Sequence, residues 1–217
     1  DDVDLFGSDD DDEEANAAAV TDALDQLCDR AAAFAEEKGG IVVLSDRGVD
    51  TEHAPVPLLL AIAAVNQRLI RDGLRMRASV IADSGQLPSS HHIASALGFG
   101  AAAVYSISAR LRAEEKYPSP AGPAGELTDT DRAFNKFRKA ALKQLGKTMG
   151  RVGLCTVESY IGGEFFEPNY LDTRDPRLAR CFPHMKAPVG GVGFTRVARA
   201  SSAWHQRARP VGESGDI

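Results

Sequence analysis

The chain has 217 residues, 43% of them apolar and 26% charged, with a formal net charge of −6. This suffices for one sizeable domain with a buried core, and the balance excludes a fibrous or wholly disordered chain. No apolar run approaches the roughly 20 residues of a membrane-spanning helix, and no basic segment precedes an apolar one at the start, so neither membrane insertion nor a signal peptide is expected.

The first predicted element is an acidic head. Residues 1–14, DDVDLFGSDDDDEE, hold nine of the 31 acids and no Lys or Arg, which leaves 25 basic against 22 acidic residues in the rest. Six consecutive acids repel one another and favour an extended, solvated segment. Residues 1–16 are therefore read as a disordered head or linker, with an interaction tail as the alternative. Residues 17–209 form the folded unit, and 210–217 a flexible tail.

A helix follows from about Ala15 to Lys38, where Val20, Leu24, Leu27, Ala31 and Phe34 recur at three- and four-residue steps. Gly39-Gly40 ends it. IVVLS, 41–45, is β-branched and free of polar residues until its end, which predicts a strand buried on both faces. Residues 57–72 read as a second helix closed by Gly73. MRASVIA, 76–82, reads as a second strand. A helix then starts near Pro88-Ser89-Ser90 and ends at Gly98, and AAAVYS, 101–106, is the third strand. Strand, loop, helix and strand in this rhythm predict an α/β fold of parallel βα repeats.

The second half is less regular. Residues 114–130 are rich in Pro and Gly and read as an exposed loop. Residues 129–149 form an amphipathic helix, with Phe134, Phe137, Ala141 and Leu145 on one face and Arg132, Lys136, Lys139, Lys143 and Lys147 opposite. A solvated face accounts for that basic stripe better than a nucleic-acid contact, because no aromatic residues are interleaved with it. VGLCTVESY, 152–160, reads as a strand and turn. A short helix is expected near Asp175 to Cys181, and a last one begins near Phe194.

Parallel sheets carry their functional loops at the C-terminal ends of the strands. Ser45-Asp46-Arg47, Asp83-Ser84-Gly85 and Tyr105-Ser106 would all gather on that edge. The same residue types also serve as helix caps and ion pairs. His91-His92 is a poor metal pair, because neighbours on a helix point about 100° apart and zinc helices space their histidines four apart. One of the two is expected to face the sheet and hydrogen-bond there, the other to face solvent. Gly190, Gly191 and Gly193 resemble a phosphate loop only weakly, without a full fingerprint. Cys28, Cys155 and Cys181 are scattered, which suggests reduced thiols and a cytoplasmic setting.

Longer stretches carry a family likeness. LSDRG, PLLLAIAAVNQRLIRDGLR, SHHIASALGFGA, LKQLGKTMGRVGLCTVESYIGGEFFE and PVGGVGFTRVA together resemble the central domain of the large subunit of glutamate synthase, from about Ala19 to Ala208. The resemblance implies an α/β unit like a partial or degraded barrel. It implies a place in an enzyme that takes ammonia from glutamine, adds it to 2-oxoglutarate and reduces the imine to glutamate. FMN and an iron–sulfur cluster are expected in the complete enzyme and none in this chain. Partners implied are the glutaminase and FMN domains of the same polypeptide, and a small NAD(P)H-oxidising subunit or ferredoxin. No nucleic-acid or membrane partner is implied.

The departures are specific. No N-terminal cysteine nucleophile and no closely spaced cysteine triplet is present, so no catalytic, flavin-binding or metal-binding residue of the family carries over. The acidic head and residues 117–127 lack a counterpart. The resemblance makes the segment a scaffold between active sites. Asp46, Arg47, Ser84, His91 and His92 are the candidates for a polar edge that meets another domain. A free-standing interaction module is the alternative, and an independent flavin or phosphate binder a weaker one.

Overall fold

A computed structural model describes residues 10–119 and 126–207. The elements run α1 (Asp10–Glu37), β1 (Gly40–Ser45), α2 (Leu58–Arg71), a 3-10 turn (Arg75–Arg77), β2 (Ala78–Ser84), α3 (Ser90–Gly98), β3 (Ala103–Ser106), α4 (Ile107–Lys116) and α5 (Asp129–Arg151). After them come α6 (Val157–Tyr160), β4 (Tyr170–Leu171), α7 (Pro176–Cys181), β5 (Gly191–Val192) and α8 (Phe194–Arg207).

The fold is α/β, as the βα rhythm predicts. β1, β2 and β3 pair in parallel in that order, and the sheet they form is open, not a closed barrel. β4 and β5 add a separate parallel pair of two residues each. Side chains alternate across a strand, and here the alternation separates core from surface. Leu44, Val80 and Ala82 are buried, and Val42 and Val104 pack against the same cluster. α2 contributes Ile62, Val65 and Leu69 to it, each fully enclosed; a side chain of that size contributes roughly 1.5–3 kcal/mol on burial. Alanines at 31, 35, 61, 63, 64, 94 and 96 are also buried, and their small side chains let α2 approach α1, α3 and the sheet closely.

Several expectations change. β1 is not buried on both faces: Ile41 is 60% exposed and Val43 55%, because among the described residues no layer covers the odd-numbered side of the sheet. The 152–160 stretch is not a strand. Gly153 adopts φ +78°, and the N–H groups of Gly153 and Leu154 donate to the carbonyls of Gly150 and Met149. That is the glycine stop of α5, followed by the single turn of α6. α4 has no forerunner in the sequence reading; Ser106 caps it by accepting from Ala109 N–H at 3.2 Å.

The acidic run differs too. Residues 10–14 already belong to α1, and residues 1–9 of the expected head lie outside the described residues, as does 208–217, which holds the expected tail. Arginines of the C-terminal helices partner the α1 acids: Glu13 with Arg199, Glu14 with Arg177 at 3.1 Å and Asp25 with Arg180 at 2.7 Å. A run that would repel itself in isolation is held in a helix by cations from the other end of the chain. Among the described residues no helix is long and apolar enough to cross a membrane.

Candidate functional site

The parallel register brings the three strand ends into rows. Ser45 pairs with Asp83 and Asp83 with Tyr105, while Ser84 stands beside Ser106. Two interlocked networks result.

The first is centred on Asp46. Its carboxylate accepts from Ser84 Oγ at 2.5 Å and from Gly85 N–H at 3.1 and 3.2 Å. Ser84 is fully buried, and its hydroxyl also accepts from Gln86 N–H at 2.9 Å. The second is centred on Asp83. Arg47 donates to it twice, from Nε at 2.6 Å and Nη2 at 3.0 Å, and Ser45 Oγ adds a bond at 3.2 Å. The guanidinium holds the Asp83 carboxyl below the usual carboxylate range, with Ser45 assisting. The same guanidinium lies 5.7 Å from the centroid of the Tyr105 ring.

Gln86 is the residue that sequence reasoning missed. Its side-chain amide donates to Val56 O and accepts from Leu58 N–H, both at 3.0 Å. It thereby ties the β2–α3 loop to the start of α2, where Pro57 supplies no side-chain cap. From the other side α8 reaches the β1–α2 loop, with Ser201 Oγ donating to Pro55 O at 3.0 Å and His205 Nε2 to Asp50 O at 2.6 Å. A cleft of about 280 Å³ is lined by this loop, through His53 and Val56, together with Leu27, Arg30, Leu44 and Leu58.

Asp46 and Ser84 thus share one strand-end network and Arg47 belongs to the adjoining one, while His91 and His92 join neither. Both histidines are exposed on α3, and neither faces the sheet as expected. His92 Nδ1 pairs with Ser89 Oγ at 2.8 Å, and His91 lies edge-on to Phe166 with ring centroids 6.0 Å apart. Ile93 and Ala94 are the residues of the first turns of α3 that bury against the core, which leaves both histidine rings on the outer side.

Three further clusters have no local sequence signal. Arg75 ties α2 to β2 and to the α3–β3 turn, donating to Asn66 Oδ1 at 2.6 Å, Ala78 O at 2.7 Å and Gly100 O at 3.0 Å. Gln67 donates to Glu164 at 2.7 Å, and burial raises the Glu164 carboxyl above its ordinary range. Cys28 and Cys181, 153 positions apart in sequence, are buried in the same core cluster, and desolvation pushes the Cys181 thiol up to about 11.

The chemistry of these groups is that of fastening. Among the described residues no three His, Cys, Asp or Glu side chains gather in metal-binding fashion. Nor do the glycines before α8 present a free phosphate cradle: Asp175 already accepts from the Phe194 N–H at 2.9 Å and from Arg177 N–H at 2.9 Å, so a carboxylate holds the helix start.

Residues 6–170 match the family described as glutamate synthase central domain. The chain is similar to the NADH glutamate synthase of Schizosaccharomyces pombe, 29% identical over 197 residues, covering 91% of this chain and 9% of that protein. It is similar to the NADPH glutamate synthase large chain of Bacillus subtilis, 31% identical over 169 residues, covering 77% of this chain and 11% of that one. It is 32% identical over 192 residues to ferredoxin-dependent glutamate synthase 2 of Arabidopsis thaliana, covering 84% of this chain and 12% of the relative. The chain spans about a tenth of the length of these relatives, and it belongs to the glutamate synthase central domain family.

Proposed function

We propose that this chain acts as a segment of a glutamate synthase, as the scaffold that links the glutaminase and FMN domains of one cytoplasmic polypeptide. The whole enzyme moves ammonia from glutamine to 2-oxoglutarate and reduces the product to glutamate. Its electrons come from a small NAD(P)H-oxidising subunit or from ferredoxin.

One observation carries the scaffold reading. At the strand ends, where an α/β enzyme presents its reactive groups, Asp46, Arg47, Asp83, Ser84 and Gln86 bond to one another and to the backbone of adjoining loops. Such a network holds loop shape and leaves no nucleophile paired with an accessible base. FMN and an iron–sulfur cluster belong to the complete enzyme on this reading. The residues of this chain do not fit the cluster, since Cys155 is exposed while Cys28 and Cys181 are buried with raised thiol pKa values. They offer FMN no phosphate cradle at α8.

The test has two arms. The native polypeptide containing TMGRVGLCTVESYIGGEFF should run several times larger than 23.1 kDa. In that polypeptide, Asp46→Ala or Arg47→Ala should release glutamine-derived ammonia without matching glutamate formation. A native mass near that of the chain, or unchanged coupling with unchanged stability, refutes the reading.

A further inference from the structure

Parallel sheets are ordinarily covered on both faces, and among the described residues this one is covered on one. Leu44, Val80 and Ala82 turn to the core. On the opposite face the register sets Ile41 beside Ser79, Val43 beside Ile81 and Ile81 beside Ala103, with Tyr105 beyond Asp83. Ile41, Val43 and Tyr105 are among the exposed large apolar residues. The face runs on into α5, since the Tyr105 ring lies 5.5 Å from that of Phe134.

The topology explains the open face. The strand order β1-β2-β3 follows the sequence, and the crossover helices α2 and α3 share a single core with the even-numbered side chains. A doubly wound sheet reverses its order and gains helices on its second face. A singly wound one covers that face only when further structure closes against it.

We propose that the odd-numbered face is a docking surface whose occupant is another layer of the same polypeptide, with an apolar face and an acceptor oxygen opposite Arg47. This rests on the reading of the chain as a segment of a longer enzyme. Size favours that occupant over a second copy. Three strands at about 4.8 Å spacing and some 20 Å of length offer on the order of 300 Å², well short of the roughly 800 Å² per partner of a stable association between separate chains. A layer on the same chain is supplied at high effective concentration and needs less. The relatives have the length for it, because the matched segment is 9–12% of each. Arg47 sets the polar requirement: Asp83 engages its Nε and Nη2, and Nη1 makes no hydrogen bond among the described residues.

The experiment introduces Ile41→Cys or Val43→Cys into the complete polypeptide and follows maleimide labelling of that peptide by mass spectrometry. Both side chains lie on the exposed face of the segment, and cysteine is small enough to enter an apolar contact there. Labelling at least about ten-fold slower than in the urea-unfolded polypeptide is expected. Labelling at the unfolded rate in a polypeptide several times 23.1 kDa overturns the docking surface while leaving the segment reading intact. A native mass near 23.1 kDa fails the segment reading instead. Protection in a particle of twice that mass then assigns the face to a second copy, which also overturns the proposal.

Discussion

Arg47 grips Asp83 with two parallel donors across the ends of β1 and β2, at 2.6 and 3.0 Å. The two residues come from different βα units, so the pair fixes the relative position of two loops that the backbone register alone leaves free beyond Ser45 and Asp83. Because Asp83 is held below the ordinary carboxylate range, it binds its proton less readily folded than unfolded. Its contribution to stability is complete above the unfolded pKa of about 4 and disappears as pH falls through the lower folded value. Arg47→Met should therefore destabilise the protein at pH 7 and make no difference in strong acid. Denaturant melts of both proteins at several pH values measure the convergence.

Gly100 and Gly73 separate steric conflict from backbone strain. A Cβ on Gly100 would lie 2.4 Å from Asn66 Cγ at φ +121°, whereas one on Gly73, at φ +71°, would meet nothing within 4 Å. Gly73→Ala should cost roughly 1 kcal/mol, the price of a left-handed alanine. Gly100→Ala should cost at least about 3 kcal/mol, because Asn66 is held in place by Arg75 and cannot yield. Equal destabilisation of the two variants in urea melts would contradict this account.

Thiol reactivity should divide the three cysteines. Cys155 is exposed, and Cys28 and Cys181 are buried. Burial raises both buried thiols, Cys181 to about 11, so each is scarce as thiolate at pH 8. A disulfide reagent should titrate one thiol in the native chain and three after unfolding. Two fast native thiols would show that α7 does not seal the space beside α1.

Much of the fold was legible because its signals are local. Leu24, Cys28 and Ala31 repeat at helical steps on the buried side of α1, Asp175 caps α7 as an acid preceding a proline should, and α8 begins at Phe194. What failed was non-local. IVVLS reads as doubly buried because composition records only that a strand is apolar, and a face left for other structure looks the same as one already covered. VGL at 152–154 reads as strand until the left-handed turn at Gly153 is seen. At the site, Asp46, Arg47 and Ser84 were legible from their places after strands. Gln86 was not, because a glutamine in a loop carries no pattern, and its partners lie 28 and 30 residues away.

The acids of α1 make a prediction about salt. Glu13 and Arg199 are both largely shielded from solvent, and Glu14 bonds Arg177 and Thr195. Replacing both glutamates by glutamine should cost about 1 kcal/mol at low ionic strength and less in 1 M salt, where the screening length falls to about 3 Å. Hydrogen exchange should quicken in α8 before it does in α2. Unchanged exchange in α8 would mean that packing of Phe194 and Ala198 alone holds the helix.

The two bonds made by the Gln86 amide bear on the order in which this chain acquires its shape. The start of α2 lacks a side-chain cap of its own, and Leu58 N–H finds its acceptor only in a residue made 28 positions later. As the chain emerges from a ribosome, α2 can wind from its middle, but its first turn stays frayed until β2 has aligned with β1 and brought Gln86 across. Closing the first turn of α2 thus follows the pairing of β1 with β2, while the β1–α2 loop gains its remaining bonds only when Ser201 and His205 of α8 reach Pro55 and Asp50.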